Sequence, residues 1–241
     1  MRQVRRARVL KERQEMETMD TKLPTNRRSF LGGIAASAAA AGVGAAAIPI
    51  AGTAAAAGPS TDFTRWLDTI PGKYRQVYDM PELNNAFGLI WSWAFLLTGP
   101  QGYGVPESDL GVVVVLRHAA IPLAFNDPVW AKYKMGEVFK ITDPATKAPA
   151  LRNPYANSKP GDIMVPDAAV DKLLARGVKV CVCNLAITFY SGNVAKAMNL
   201  NPEAVKREWT EAVLPGVQVV PSGVVALNGA ESRGCAYVFA G

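Results

Sequence analysis

The sequence is poor in the residues that build metal and disulfide sites: its 241 residues include one histidine and three cysteines. A lone histidine with a single Cys181-x-Cys183 step does not supply a four-ligand metal set, and three cysteines are too few for a disulfide-stapled scaffold. No G-x-G-x-x-G follows a strand pattern, which removes a dinucleotide fingerprint, so neither a metal nor a cofactor is expected. Acidic and basic side chains are absent from residues 29–61. What is abundant is apolar: 49% of residues are hydrophobic against 19% charged, which excludes a disordered chain.

The formal charge of +6 is unevenly placed. Residues 1–28 hold nine basic and four acidic side chains, a net of +5, which leaves +1 for everything after them. The basicity that would suggest nucleic acid therefore belongs to one terminus, and nucleic acid is not an expected partner. Thr25-Asn26-Arg27-Arg28-Ser29-Phe30-Leu31 is followed by a run of Ala and Gly that ends in Ala54-Ala55-Ala56-Ala57. A basic n-region (1–28), an apolar h-region (29–50) and small residues at a cleavage site near 57 are the layout of an export signal. The pair Arg27-Arg28 followed by Phe30-Leu31 resembles a bacterial twin-arginine signal. That resemblance implies passage through the Tat translocase as a folded protein, and a periplasmic or otherwise exported location. Pro49 interrupts the apolar run, so stable membrane insertion after cleavage is not expected; an uncleaved signal would instead be an anchor. Met1 and Met19 both serve as starts for such an n-region.

Removing the signal leaves about 184 residues, one domain's worth, read as a linker over 58–71 and a domain over 72–241. Five β-rich runs stand out: Tyr74–Tyr78, Val112–Leu116, Val178–Cys183, Val217–Val220 and Ala236–Phe239. Helical patterns alternate with them, which predicts a single α/β domain with a five-stranded, mainly parallel sheet and helices on both faces. Asp79 with Glu82 and Pro81 reads as a helix start, and Gly99-Pro100 as its stop. Pro166-Asp167 opens a helix ended by Gly177; Asn201-Pro202-Glu203 caps another carrying Val205 and Trp209; Ser222 caps a last one to about Ser232. Residues 136–165 carry Pro144, Pro149, Pro154, Pro160 and Gly161 without periodicity, a loop long enough to suggest a functional or oligomer contact.

The run Gly177-Val178-Lys179-Val180-Cys181-Val182-Cys183-Asn184, then Leu214 to Gly223 with Val219-Val220-Pro221-Ser222-Gly223, and the closing Gly234-Cys235-Ala236-Tyr237-Val238 resemble the DsrE/DsrF-like family over roughly residues 72–240. The resemblance implies a flavodoxin-like fold, oligomeric assembly and, as in the sulfur-relay branch, a persulfide carried on the cysteine ending the third strand, here Cys183. The chain differs from that branch in its export signal, its 136–165 loop and the residues Asn184 to Phe189.

The residues themselves leave alternatives open. Cys181 and Cys183, two apart on a strand, lie on one face with Cα atoms roughly 6.6 Å apart, at the outer limit for a disulfide. With a sheet order of 2-1-3-4-5, Cys235 stands one full strand away from them. Cys183 is either a reactive thiol at the carboxyl edge, where open α/β sheets bind ligands, or a small core side chain like the other two. Asn184 follows it. Arg117 and His118, at the end of the second strand, are candidates for ligand binding and for acid/base work, and Ser222-Gly223 for an anion site at a helix start. Arg152-Asn153-Pro154 in the long loop is placed to close over the same crevice.

Helix 82–97 is apolar around its circumference, with Phe87, Trp91, Trp93 and Phe95, and a second subunit is the expected cover. Two functions of different class follow: an exported sulfur-handling or small-ligand domain working through Cys183, or a non-catalytic oligomeric accessory protein whose cysteines are structural.

Overall fold

A computed structural model describes residues 61–241; the export signal read over residues 1–57 lies outside the described residues. The described residues belong to one compact unit. The described part opens with helix α1 (Thr61–Asp68), in the stretch read as a linker, and Leu67 and Ile70 there are buried. Strands β1 (Tyr74–Met80), β2 (Leu110–Leu116), β3 (Lys179–Cys183), β4 (Gln218–Val220) and β5 (Cys235–Phe239) then form one sheet, and every pairing in it is parallel. Every residue of β2 is buried, as its unbroken apolar run requires of a strand covered on both faces.

The strand order is β4-β3-β2-β1-β5, not the 2-1-3-4-5 considered from sequence. Two strands, β2 and β1, therefore separate Cys235 from β3, and all three cysteines are free thiols. The chain steps one way across the sheet from β1 to β4 and returns past β1 for β5. Right-handed crossovers then place the helices before β2, β3 and β4 on one face and the helix before β5 on the other. The packing agrees. Tyr78, Met80, Val114, Leu116, Val180 and Val182 join a large core with helices α2 (Phe87–Tyr103), α5 (Val170–Ala175), α6 (Asn184–Ala197) and α7 (Pro202–Glu211). Val77, Val113, Val115 and Cys181 join a smaller one with α1 and α8 (Gly223–Glu231).

Two helix boundaries differ from expectation for physical reasons. Asp79 does not cap a helix, because β1 stays paired beyond Tyr78: Asp79 faces Val115 on one side and Phe239 on the other. Helix α2 begins only at Phe87, after Asn84, Asn85 and Ala86 with φ of 40°, 50° and 61°. It also runs through Gly99-Pro100 to Tyr103. Proline in the last turn forfeits one backbone bond, and the stop comes at Gly104, whose left-handed φ of 66° lets its N–H bond the Pro100 carbonyl. The helix read from Pro166 is a 3₁₀ turn (Pro166–Ala168) followed by α5. Asn201 and Ser222 cap α7 and α8 as read, through bonds to the N–H groups of Ala204 and Val225.

Between β2 and α5 lie a 3₁₀ segment (His118–Ala124), α3 (Asp127–Lys132), α4 (Met135–Val138) and the long loop. That loop is tied down from within. Arg152 grips Asp162 with Nη1 and Nη2, both at 2.6 Å, and Asp143 with Nε at 3.0 Å. Asn153 donates to the Leu123 and Phe125 carbonyls at 3.0 and 2.9 Å. Arg152-Asn153-Pro154 is thus not a flap over the crevice; its polar atoms are consumed in anchoring the loop.

Candidate functional site

Adjacent strands β3 and β4 feed helices on opposite faces, α6 on the large face and α8 on the small one. Their carboxyl ends therefore part, and an open α/β sheet binds ligands outside such a parting. Cys183 and Ser222-Gly223 stand on its two sides, since Cys183 pairs with Val220 in the ladder.

Cys183 is the last residue of β3 and the N-cap of α6, and its Sγ accepts the Ala186 N–H at 3.3 Å. A helix N-terminus favours negative charge on a group so placed. The two cysteines read as sharing a face part here: Cys181 belongs to the smaller core, whereas Cys183, turned into the first turn of α6, packs with the larger. Cys181 is wholly enclosed, and burial pushes its thiol pKa up, as it does that of Cys235. Cys183 keeps 6% of its surface exposed against 0% for Cys181.

Arg117 follows β2 and points back over β1. Its Nε donates to Asp79 Oδ1 at 2.7 Å and its Nη2 to Asp79 Oδ2 at 2.9 Å, while the Tyr237 hydroxyl donates to Oδ2 at 2.7 Å. Asp79 is enclosed, with its side chain 2% exposed; that of Arg117 is 27% exposed. The hydrogen bonds to Asp79 hold the Arg117 pKa above its usual value, and because Leu116 pairs with Val182, Arg117 and Cys183 are the next residues on neighbouring strands. Burial, then the bond to Asp79, raises the Tyr237 pKa. The stem of Arg117 passes so close to the start of α8 that a Cβ on Gly223 would stand 2.7 Å from the Arg117 Cβ, so only glycine fits there. Ser222 spends its hydroxyl on the Val225 N–H at 3.3 Å, which leaves the Gly223 and Val224 N–H groups without a partner among the described residues.

The structure thus brings together Cys183, Asn184, Arg117, Ser222 and Gly223 from the sequence reading. His118 turns elsewhere. It is exposed, with φ of 49°, and its Nδ1 partners the Tyr190 hydroxyl at 3.2 Å. Asp79 and Tyr237 escaped the sequence reading, although a signal existed: Val77 and Asp79 share a face of β1, and Tyr237 sits on the same face of β5.

At the opposite, amino edge of the sheet lies a groove of about 410 Å³ between α1 and the starts of β3 and β4. Lys179 is the one ionisable side chain lining it. The candidate residues Cys183, Arg117, Ser222 and Gly223 lie at the carboxyl edge, away from this groove. Among the described residues no group of three or more His, Cys, Asp or Glu could hold a metal ion, and no helix is long and apolar enough to cross a membrane.

No family model matches the sequence, and no curated protein matches it. Among solved structures, the chain is similar to a protein of unknown function, MTH1491 from Methanobacterium thermoautotrophicum, at 19% identity and a TM-score of 0.34, over 69% of this chain and 99% of that one. The fold assignment stands on the strand pairing above.

Proposed function

We propose that this protein is a thiol-based sulfur carrier of the DsrE-like kind, with Cys183 holding sulfane sulfur as a persulfide. The observation that carries the proposal is the bond from the Ala186 N–H to the Cys183 sulfur, made at a helix N-terminus on the strand next to the one that Arg117 follows. A backbone donor aimed at sulfur at a helix N-terminus is placed to receive the charge of a bound persulfide. Leu185, Val224 and Val225, exposed in the first turns of α6 and α8, give the crevice an apolar rim. The sequence of residues 1–57 extends the proposal to an exported protein, delivered through the Tat translocase.

Intact-mass measurement after incubation with inorganic polysulfide tests the carrier role. The expected result is an adduct of about 32 Da, one sulfur atom, that reduction removes. It persists in Cys181→Ser and Cys235→Ser and disappears in Cys183→Ser. A native protein that takes up no sulfur sinks the proposal.

A second reading, an oligomeric accessory protein, draws on a different surface. Helix α2 leaves Trp91 38% and Leu97 56% exposed, and the outer strand β5 leaves Tyr237 46% and Phe239 56% exposed. An outer strand without charge or proline is open to pairing. Light scattering on the exported protein is expected to give at least a dimer, and a monodisperse monomer rules this assembly out.

A further inference from the structure

We propose that Arg117, clamped by Asp79 and Tyr237, selects the sulfur donor: the site takes an anionic thiosulfonate-type compound, thiosulfate being the simplest, whose sulfonyl oxygens bind Arg117 while its sulfane sulfur meets Cys183. The inference rests on the carrier role of Cys183 and adds to it the chemical class of the donor.

The reason begins with what the ion pair is not for. An enclosed carboxylate with a guanidinium is weak evidence of stabilisation, because desolvating both groups offsets most of their attraction. Asp79 is nonetheless 1% exposed and accepts three hydrogen bonds, two from Arg117 and one from Tyr237. Those bonds fix the plane of the guanidinium through its Nε and Nη2 edge. The remaining nitrogen, Nη1, has no partner among the described residues. Because Tyr237 also donates to the carboxylate, part of the Asp79 charge is drawn away from the arginine. What is left is a pre-oriented cationic donor, and a planar guanidinium matches an oxyanion better than an ammonium does. Gly223 then holds the Arg117 stem beside the start of α8, next to the free N–H groups of Gly223 and Val224.

Leu116 pairs with Val182, so Arg117 and Cys183 are the next residues on neighbouring strands, and an oxyanion-binding arginine beside a nucleophilic sulfur suits a substrate with oxygens at one end and an electrophilic sulfur at the other. The transfer balances without an oxidant or a reductant. The Cys183 thiolate, its proton given to solvent, attacks the sulfane sulfur of thiosulfate. The new sulfur–sulfur bond forms as the old one breaks, and sulfite departs with the bonding electron pair, leaving the persulfide.

The test uses the full chain and two probes. Thiosulfate reads donor selection, and methyl methanethiosulfonate, a neutral reagent for thiols, reads the general reactivity of Cys183. Replacing Arg117 alone would strand the Asp79 charge, so the variant is Asp79→Asn with Arg117→Gln, a neutral pair of similar shape. Its fold is checked by urea denaturation. Thiosulfate loading is expected to fall at least tenfold, the scale of a lost hydrogen bond to a charged group, while labelling by the neutral reagent changes less than about threefold. Equal losses with both probes, or no loss with thiosulfate, overturn the donor assignment. So does a native protein that loads from polysulfide but not from thiosulfate, and in that case the carrier role stands. A native protein that loads from neither donor takes the carrier role down as well.

Discussion

Two arginines among the described residues grip enclosed carboxylates, and the difference between them separates scaffold from candidate site. Arg152, with its side chain 21% exposed, spends Nε, Nη1 and Nη2 on Asp143 and Asp162. Those acids are filled from the local backbone as well: Asp143 accepts the N–H groups of Ala145 and Thr146, and Asp162 that of Lys159. Arg117, at 27% exposure, has one carboxylate, aided by a tyrosine, and its Nη1 has no partner among the described residues. The first cluster closes on itself within one loop, and the second leaves one guanidinium nitrogen without a partner among the described residues. Equal chemistry thus does different work according to whether the fold leaves a donor over.

The largest effect expected from breaking this contrast is at the saturated cluster. Arg152→Ala strands two enclosed carboxylates and is expected to lower unfolding stability by about 3 kcal/mol in urea titrations, while sulfur loading per folded molecule is unchanged. Loss of loading in the folded variant would erase the division between scaffold and site.

The same cluster carries a smaller pH signature. The Arg152 guanidinium holds Asp162 below the usual carboxylate range, and the Thr146 N–H does the same for Asp143. A depressed folded pKa contributes stability that is present above the unfolded value, about 4, and is lost as pH falls through the folded one. Stability of the native protein is expected to fall as pH drops from about 5 through the depressed folded values. The drop should be much shallower in Arg152→Ala, and identical acid limbs in the two proteins would show that the loop cluster is not its source.

The smallest effect is the sharpest for the open cluster. Tyr237→Phe removes one of three bonds to Asp79 and is expected to cost about 1 kcal/mol in stability. It should lower thiosulfate loading more than labelling by the neutral thiosulfonate reagent. A stability loss with no change in their ratio would make Tyr237 part of the scaffold.

How much of this was legible in the chain depended on the range of the interaction. The five strands were visible as β-rich runs bounded by turn residues, β2 most plainly because Val112 to Leu116 are apolar at every step, as a strand enclosed on both faces must be. The caps Asn201 and Ser222 were visible because a cap acts within three residues. Cys183, Arg117 and Gly223 could be suspected from their places at strand and helix ends, without any sign that they meet. Asp79 misled because its local context, three residues before Glu82, fits a helix start. Only pairing to β2 and β5, some thirty-six and one hundred and sixty residues away in register, keeps it in the strand. Arg152 misled for the same reason, since nothing in Arg152-Asn153-Pro154 announces Asp143 and Asp162 as its partners. Helix α6, directly after Cys183, went unread because Asn184 to Phe189 lack a strong amphipathic period.

The sequence by itself determined an α/β domain with a parallel sheet, the location of its net charge in the first 28 residues, and the caps of α7 and α8, because each follows from periodicity, composition or contacts a few residues apart. Tertiary structure decided the strand order, the side of the sheet on which each helix lies, and which arginine keeps a donor free. Those depend on how the chain returns past β1 to add β5: that step brings Tyr237 onto Asp79 and sends α8 to the face opposite α6, and no local pattern encodes it.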